Sequence, residues 1–185
     1  NPVIKVGSKG AWNDQTLGCL TVLADGDTFY LYSDGARFGK PKNIGLATSE
    51  DGIHWKWFEK NPLFGGSMAY AIKVGDTFRL YYSGGHGGLN GLQMRTSPDG
   101  FHWSEPTQVM EGCADPKVVR VADNRFYLYY CDGGKVTKDG KEAWEFKNYM
   151  ATSEDGIRWK KEPGPVLALG PKGSWDENSH AGPCV

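Results

Sequence analysis

The sequence lacks long apolar runs, and no segment approaches the roughly 20 consecutive apolar residues of a membrane-spanning helix. It also lacks an excess of charge, because 21 basic and 22 acidic side chains give a formal net charge of −1. We therefore expect neither nucleic acid nor a membrane as a partner. Helical periodicity is absent throughout, which favours strands over a helical bundle.

Cysteine is scarce, with four residues and no CxxC pair, so no metal site is predicted from it. A disulfide framework would be denser in a chain of 185 residues. We therefore predict four buried free thiols. These are Cys19, Cys113, Cys131 and Cys184.

Glycine and large aromatic residues, in contrast, are abundant, with 26 Gly and 7 Trp. Such a composition is typical of many short strands joined by tight turns. The 185 residues suffice for one or two compact units with a core.

One pattern occurs three times along the chain. A run of the form Phe-x-Leu-Tyr begins at Phe29, Phe78 and Phe126, at spacings of 49 and 48 residues. After each run comes the motif Ser-x-Asp-Gly-x-x-Trp, which ends at Trp55, Trp103 and Trp159. A repeat of this length that contains four predicted strands is a propeller-blade period.

The predicted fold is accordingly all-β, a β-propeller with four-stranded antiparallel blades. We assign residues 1–185 to one domain, with blades at about 17–60, 66–108 and 114–163 and the start of the next at 173–185. A propeller usually has 4–8 blades, so three blades and one strand do not close a ring. Either further chain or a homo-oligomer is expected to complete it.

The Asp-Gly turns are interpreted as structural. Ser and Asp side chains can hydrogen-bond the local backbone, and Gly supplies a permissive φ. The Trp that follows returns to the core between blades, where it buries a large apolar area. We therefore reject as catalytic acids Asp51, Asp99 and Asp155.

Topology points instead to the starts of the first strands, which should line the propeller axis. Asp115 lies at such a start, and Pro116 biases it towards an extended conformation. Leu17 and Met68 are the predicted equivalents in the other blades, so the fold itself does not demand an acid there. Asp115 is thus the first catalytic candidate, and a salt-bridged or turn-capping Asp is the alternative.

Further candidates lie on the same face of the predicted propeller. In the linkers, Asp14 and Asp176 are possible catalytic groups and Trp12 a substrate-binding ring, although the Trp could simply pack. A long loop, predicted from Cys131 to Lys147, forms a natural rim around a site. Its candidates are a catalytic Glu142 and a stacking Trp144, with a solvated charged loop as the alternative. Two histidines complete the substrate-binding set, His86 in a glycine-rich loop and His180 before the last strand.

These motifs resemble those of the five-bladed propeller glycosidases of glycoside hydrolase families 43 and 32. The resemblance rests on Ala-Thr-Ser-x-Asp-Gly-Ile-x-Trp, the Gly-Ser-Trp-Asp linker and Phe-Tyr-Leu-Tyr-Tyr, and covers essentially the whole chain. It implies that Asp115, within Ala-Asp-Pro-Lys-Val, stabilises the transition state or tunes a neighbouring pKa. Asp14 is similar to the first Asp of these enzymes, although Gln15 replaces their Pro, and no matching Glu-bearing strand is present.

The resemblance implies a glycoside hydrolase that acts on oligo- or polysaccharide through axial carboxylates. A non-catalytic carbohydrate-binding propeller is one alternative, and a truncated propeller that assembles as an oligomer is another. No cofactor is required, and a structural calcium ion on the axis is compatible with this hypothesis. We expect an extracellular or periplasmic location.

Overall fold

The computed structural model describes residues 2–85, 89–138, 140–180 and 182–184. Within these ranges the chain forms strands and turns but no helix, which confirms the all-β prediction, and no helix here could span a membrane. The strands are β1 (Thr16–Asp25), β2 (Thr28–Ala36), β3 (Asn43–Ser49), β4 (Lys56–Trp57), β5 (Phe64–Gly65), β6 (Ser67–Val74), β7 (Thr77–Ser83), β8 (Leu92–Ser97), β9 (Thr107–Met110), β10 (Ala114–Ala122), β11 (Arg125–Lys138), β12 (Lys141–Ser153) and β13 (Lys160–Lys161).

The strands form three antiparallel sheets in chain order. The first sheet has the order β1-β2-β3-β4, with the short β5 also paired to β3. The second is β6-β7-β8-β9 and the third is β10-β11-β12-β13. The prediction of four-stranded antiparallel sheets is therefore confirmed. The fourth strands begin after the Trp rather than at it, because the Trp side chain belongs to the preceding turn.

The predicted loop from Cys131 to Lys147 is wrong. β11 and β12 continue as one hairpin whose register runs from Phe126 opposite Ser153 to Lys138 opposite Lys141. Charged side chains alternate along the hairpin and pair across it, as in the contact of 2.9 Å between Lys138 Nζ and Glu145 Oε2. Opposite charges across a strand pair favour the extended pairing over a loop.

The three sheets meet at their first strands. β6 contacts both β1 and β10, and the second strand of each sheet contacts the first strand of the next. Two apolar clusters fill the spaces between neighbouring sheets. One contains Tyr32, Leu46 and Leu80, and the other contains Tyr81, Val118 and Leu128.

The second and third sheets also contact the preceding sheet through their Asp-Gly turns. The hydroxyl of Tyr32 donates a hydrogen bond of 3.0 Å to the carbonyl oxygen of Gly100 in the next sheet. The equivalent Tyr81 donates one of 2.9 Å to Gly156. Trp103 meets Tyr32 edge-on, with 5.6 Å between ring centroids. Two successive interfaces therefore use the same contacts.

The inside of each Asp-Gly turn is likewise repeated. In the third sheet, Asp155 Oδ1 accepts hydrogen bonds from the amides of Ile157 and Arg158 and from the hydroxyl of Ser153. The hydrogen bond from the Arg158 amide lowers the pKa of the Asp155 carboxyl most. Burial opposes this effect, and the hydrogen bond from the Ile157 amide adds to it. Asp51 and Asp99 have the same contacts. The turn acids hold local backbone, as predicted.

Candidate functional site

A strained backbone position recurs where each first strand begins. The non-glycine residues with positive φ in the described part of the chain are Cys19 (28°), Met68 (55°) and Asp115 (55°). Each lies at a shift in the register between the first and second strands of its sheet. Met68 is thus the equivalent of Asp115 as predicted, but in the first sheet the equivalent is Cys19 rather than Leu17. The bulge moves the register, which the sequence alignment could not show.

A glycine with positive φ before a proline lies near the C-terminal end of the described chain. Gly182 has a φ of 69° and precedes Pro183, as Asp115 precedes Pro116. A β-carbon placed on Gly182 would lie 3.7 Å from Asp115 Oδ2, so this segment passes beside the Asp115 carboxylate.

The Asp115 side chain is mostly buried, with 13% of it exposed, and it forms an ion pair. Its Oδ1 lies 2.6 Å from Lys117 Nζ. The same ammonium group lies 5.6 Å from the centroid of the Tyr70 ring on the second sheet. Asp115 is therefore salt-bridged, as the alternative interpretation expected. Its Oδ2 faces Gly182.

The sequence analysis missed a second carboxylate, Asp34 at the end of β2. Its side chain is 1% exposed, and both of its oxygens have partners. Oδ1 lies 3.1 Å from Lys42 Nζ, and Oδ2 accepts a hydrogen bond of 3.0 Å from the Met68 amide. The sequence carries one indication of Asp34. The equivalent residues of the other sheets are Ser83 and Cys131, so the repeat does not require an acid at this position.

The carboxylates of Asp34 and Asp115 both act on the Cys19 thiol. Partial desolvation, followed by the negative charges of Asp34 and Asp115, raises the pKa of the Cys19 thiol, while Lys42 and Lys117 oppose the rise. Two acid–lysine pairs therefore surround the bulge of the first sheet. We call Cys19, Met68 and Asp115, with these two pairs, the bulge cluster.

Asp14 and Trp12 belong to a linker turn. Asp14 Oδ2 accepts a hydrogen bond of 2.7 Å from the Gly10 amide and lies 3.9 Å from Arg37 Nε, while its buried Oδ1 has no partner. Trp12 meets Trp57 edge-on, with 5.7 Å between ring centroids. No contact in the described residues joins either side chain to Asp115.

The second linker forms the same turn, but Glu177 rather than Asp176 accepts the hydrogen bond that Asp14 accepts in the first linker. Here the Gly173 amide donates to Glu177, which stands where Asp14 stands in the first linker. Asp176 lies instead against Gly170 and occupies the position of Asn13. The described contacts give Asp176 a packing role in the linker.

Glu142 and Trp144 lie on the hairpin of the third sheet. Glu142 is 73% exposed and its Oε2 is 2.9 Å from Lys135 Nζ. Trp144 is 58% exposed, and its ring stacks on Phe146 with an interplanar angle of 4° and 5.6 Å between centroids. The hairpin thus presents a flat aromatic surface, whereas within the described chain no contact joins Glu142 to Asp115.

His180 lies between this hairpin and Gly182. Its amide donates a hydrogen bond of 3.0 Å to the Phe146 carbonyl oxygen. Both ring nitrogens are buried without a hydrogen-bond partner, as is Oδ1 of Asn148 two residues along β12. Buried polar atoms without partners are uncommon in folded proteins. His86, the other predicted histidine, lies outside the described residues.

Two predictions on metals and thiols can be compared with these positions. No group of three or more His, Cys, Asp or Glu residues that could hold a metal ion occurs in the described part, so the axial calcium ion stays a prediction. The cysteines are free, but Cys19 and Cys184 are exposed and only Cys113 and Cys131 are buried. The prediction of four buried thiols is therefore wrong. The bulge turns Cys19 out of the core.

The chain resembles known proteins in sequence and in fold. No protein-family model matches the chain. The uncharacterized protein Rv1502 of Mycobacterium tuberculosis H37Rv is 28% identical over 215 aligned residues. The alignment covers 100% of this chain and 67% of that protein, so the chain spans about two thirds of its length.

Solved structures share the architecture at low sequence identity. A glycosidase candidate from Bacteroides thetaiotaomicron superposes with a TM-score of 0.69 at 15% identity, covering 97% of this chain and 64% of that one. The fold is one that glycoside hydrolases use. A structure from the GH130 family of mannoside phosphorylases, whose glycoside hydrolases target β-1,2-mannosidic linkages in Candida mannan, gives 0.67 at 15% identity, with 89% and 56% covered. An α-L-arabinofuranosidase from Fusarium graminearum gives 0.57 at 16%, with 73% and 44% covered.

Proposed function

We propose that this chain forms part of a propeller-type glycosidase that acts on oligo- or polysaccharide, with Asp115 as its central carboxylate. The observation that carries the proposal is the repeated bulge. One strained backbone geometry occurs in three sheets, but it bears a thiol, a thioether and a carboxylate. Strained positions with side chains that the fold does not require are typical of functional sites. A five-bladed ring of the family 43 and 32 type is the architecture we propose for the whole protein.

Asp115 suits the stabilisation of a cationic transition state. Glycosidic cleavage proceeds through an oxocarbenium-like sugar, to which a nearby carboxylate is complementary. Lys117 fixes one Asp115 oxygen, and the second oxygen remains for substrate. We leave Asp34 out of proton transfer because both of its oxygens have partners. Asp14, Asp176 and Glu142 stay predictions as catalytic groups.

Substrate binding is proposed for the third sheet and the segment that follows it. The exposed Trp144 ring, backed by Phe146, is suited to stacking on a sugar face. His180 stays a predicted substrate-binding residue, with both ring nitrogens buried and without a protein partner. Trp12 and His86 remain predicted substrate-binding residues.

The test is turnover of a panel of aryl furanosides, aryl pyranosides and β-1,2-mannobiose by wild type, Asp115→Asn and Asp123→Asn. Asp123 is a matched control, because it lies in the turn between β10 and β11 of the same sheet and its side chain is 100% exposed. We expect Asp115→Asn to lower kcat about 10²–10⁴-fold and Asp123→Asn to leave it unchanged. Full turnover by folded Asp115→Asn would refute the proposal.

Phosphorolysis is the second candidate function. The bulges carry a single carboxylate, and in a phosphorylase inorganic phosphate replaces the second group by attacking the sugar itself. Lys42 and Lys117 supply positive charge in the same cluster. Turnover that depends on added phosphate and releases a sugar 1-phosphate would favour this reaction over hydrolysis. Sugar binding without turnover under either condition would favour a carbohydrate-binding propeller.

Completion of the ring is a separate proposal. Leu20 and Val22 on β1 are 60% and 46% exposed, whereas their equivalents Ala69 and Ala71 are 3% and 6% exposed against the first sheet. The face of β1 thus lacks the cover that β6 has. We propose that further sheets cover it, from a longer chain or from a second copy. Light scattering distinguishes a self-associating chain from a monomer.

A further inference from the structure

We propose that Ser83 is a positioning residue for Asp115, and that it holds the strained bulge that directs the carboxylate to the axis. This inference rests on the proposed function of Asp115. Ser83 is fully buried at the end of β7, and its Oγ accepts a hydrogen bond of 3.0 Å from the Asp115 amide. It therefore contacts the backbone of Asp115 from the neighbouring sheet rather than the carboxylate itself.

The same arrangement occurs one sheet earlier. Asp34 lies opposite Gly18 and Ser83 lies opposite Ser67, so the two acceptors occupy equivalent positions on their second strands. Asp34 accepts a hydrogen bond of 3.0 Å from the Met68 amide, which is the bulge residue of the second sheet. In both cases, a side chain at the end of the second strand holds the bulge of the following sheet.

The strained backbone explains why such a bond is needed. A non-glycine residue in the left-handed region is sterically strained, and the structure around it must compensate. Ser83 is suited to the role because its hydroxyl also points at Met68 Sδ, 3.7 Å away. With the proton directed there, the oxygen lone pairs face the Asp115 N–H. Ser83 thus links the bulges of the second and third sheets.

The third sheet has a different residue at the position of Asp34 and Ser83, and the difference agrees with this role of the acceptor. Cys131 lies opposite Ala114 and takes the position of Asp34 and Ser83. A thiol is a weak acceptor, and the residue that precedes Pro183 with a positive φ, as Asp115 precedes Pro116, is Gly182. Glycine adopts a left-handed φ without steric cost. A strong acceptor therefore precedes the bulges of Met68 and Asp115, and a weak one precedes Gly182.

The test measures hydrogen exchange of the Asp115 and Met68 amides by NMR together with turnover. We expect Ser83→Ala to speed exchange at Asp115 about tenfold and to lower kcat more than it changes KM. Ser83→Thr keeps the hydroxyl and should restore both quantities. Asp34→Asn keeps an acceptor for Met68 and should leave the Asp115 amide unchanged.

Unchanged exchange at Asp115 in folded Ser83→Ala would overturn the positioning role, as would full turnover by that variant where Asp115→Asn is inactive. If Ser83→Ala does not fold, Ser83→Cys is the second variant, because Cys131 already occupies the equivalent site in the third sheet. We expect it to show the same faster exchange at Asp115. Turnover retained by Asp115→Asn would instead refute the proposed function, while the exchange measurement still decides the role of Ser83.

Discussion

The two ends of each sheet differ in what they repeat. At one end, the Asp-Gly turns carry the same Ser, Asp and Trp side chains in all three sheets, and in each the Ser hydroxyl donates a hydrogen bond to the Asp carboxylate. At the other end, the bulges share a backbone conformation while their side chains change from Cys19 to Met68 to Asp115. We infer that the turn end builds the interface between sheets and that the bulge end displays chemistry.

The difference also separates two kinds of aspartate. Asp155 binds backbone amides of its own turn, and its pKa is lowered by those bonds. Asp115 binds a lysine side chain and keeps one oxygen free of protein donors among the described residues. By number alone, the turn aspartates would be the better candidates for a functional site. The contacts of the two kinds of aspartate instead favour Asp115 at the bulge.

The largest effect is expected at the turn end, from Trp103→Ala. Trp103 packs on Tyr32 of the preceding sheet, so its loss should lower the free energy of unfolding by about 3 kcal/mol. Trp55 is the matched control, because no preceding sheet is present among the described residues. Trp55→Ala should cost about 1 kcal/mol. Urea denaturation measures both, and equal losses would contradict the interface role.

A smaller effect is expected from Tyr81→Phe, which removes the hydrogen bond to the Gly156 carbonyl oxygen. Because that bond is buried, its loss should cost about 1–2 kcal/mol. Tyr129 is the equivalent residue of the third sheet, and its hydroxyl has no hydrogen bond within the described part. Tyr129→Phe should change stability little. A loss at Tyr129 as large as at Tyr81 would argue against the repeated interface.

The turn acids should contribute to stability in a pH-dependent way. The pKa of Asp155 is lower in the folded chain than its ordinary value of about 3.9. Its contribution is therefore complete above about pH 4 and is lost as the pH falls through the folded pKa. Asp155→Asn should lower Tm at pH 7, and the difference from wild type should shrink towards pH 2. Glu154→Gln, on the exposed neighbour, should not change Tm at either pH.

The smallest effect concerns thiol labelling, which sharpens the contrast between the bulge and the core. Burial raises the pKa of the Cys113 thiol to about 12 and that of Cys131 to about 11. Both should resist a thiol reagent at pH 8, whereas the exposed Cys184 and Cys19 should react first. Mass mapping of labelled peptides measures the order. Labelling of Cys113 before Cys184 in folded protein would contradict this account.

The sequence predicted the repeat and the turn end well because both depend on local chemistry. The Ser-x-Asp-Gly-x-x-Trp motif contains its own donors and acceptors, so its geometry follows from nearest neighbours. The hairpin of β11 and β12 was missed because Gly133, Gly134 and the charged residues around them are typical of a loop. Only the pairing of lysine with glutamate across the strands shows otherwise.

The bulge end was harder to predict because it depends on contacts between distant residues. Asp115 was found from its place at the start of a predicted first strand, but the extended conformation expected before Pro116 is wrong, since its φ is 55°. The equivalence with Cys19 required the register shift. Asp34 and Ser83 act on amides 34 and 32 residues away in the chain, in the next sheet. No pattern within a single repeat indicates such a bond.

The most direct test of the central claim is an NMR titration with β-1,2-mannobiose and arabino-oligosaccharides, observing backbone amides and methionine methyl groups. We predict that a bound sugar shifts the Met68 methyl and the amides of Cys19 and Asp115, and leaves the amides of Gly100 and Gly156 unchanged. The buried Met94 serves as the internal control. Shifts confined to the glycines of the Asp-Gly turns would contradict the assignment of function to the bulges.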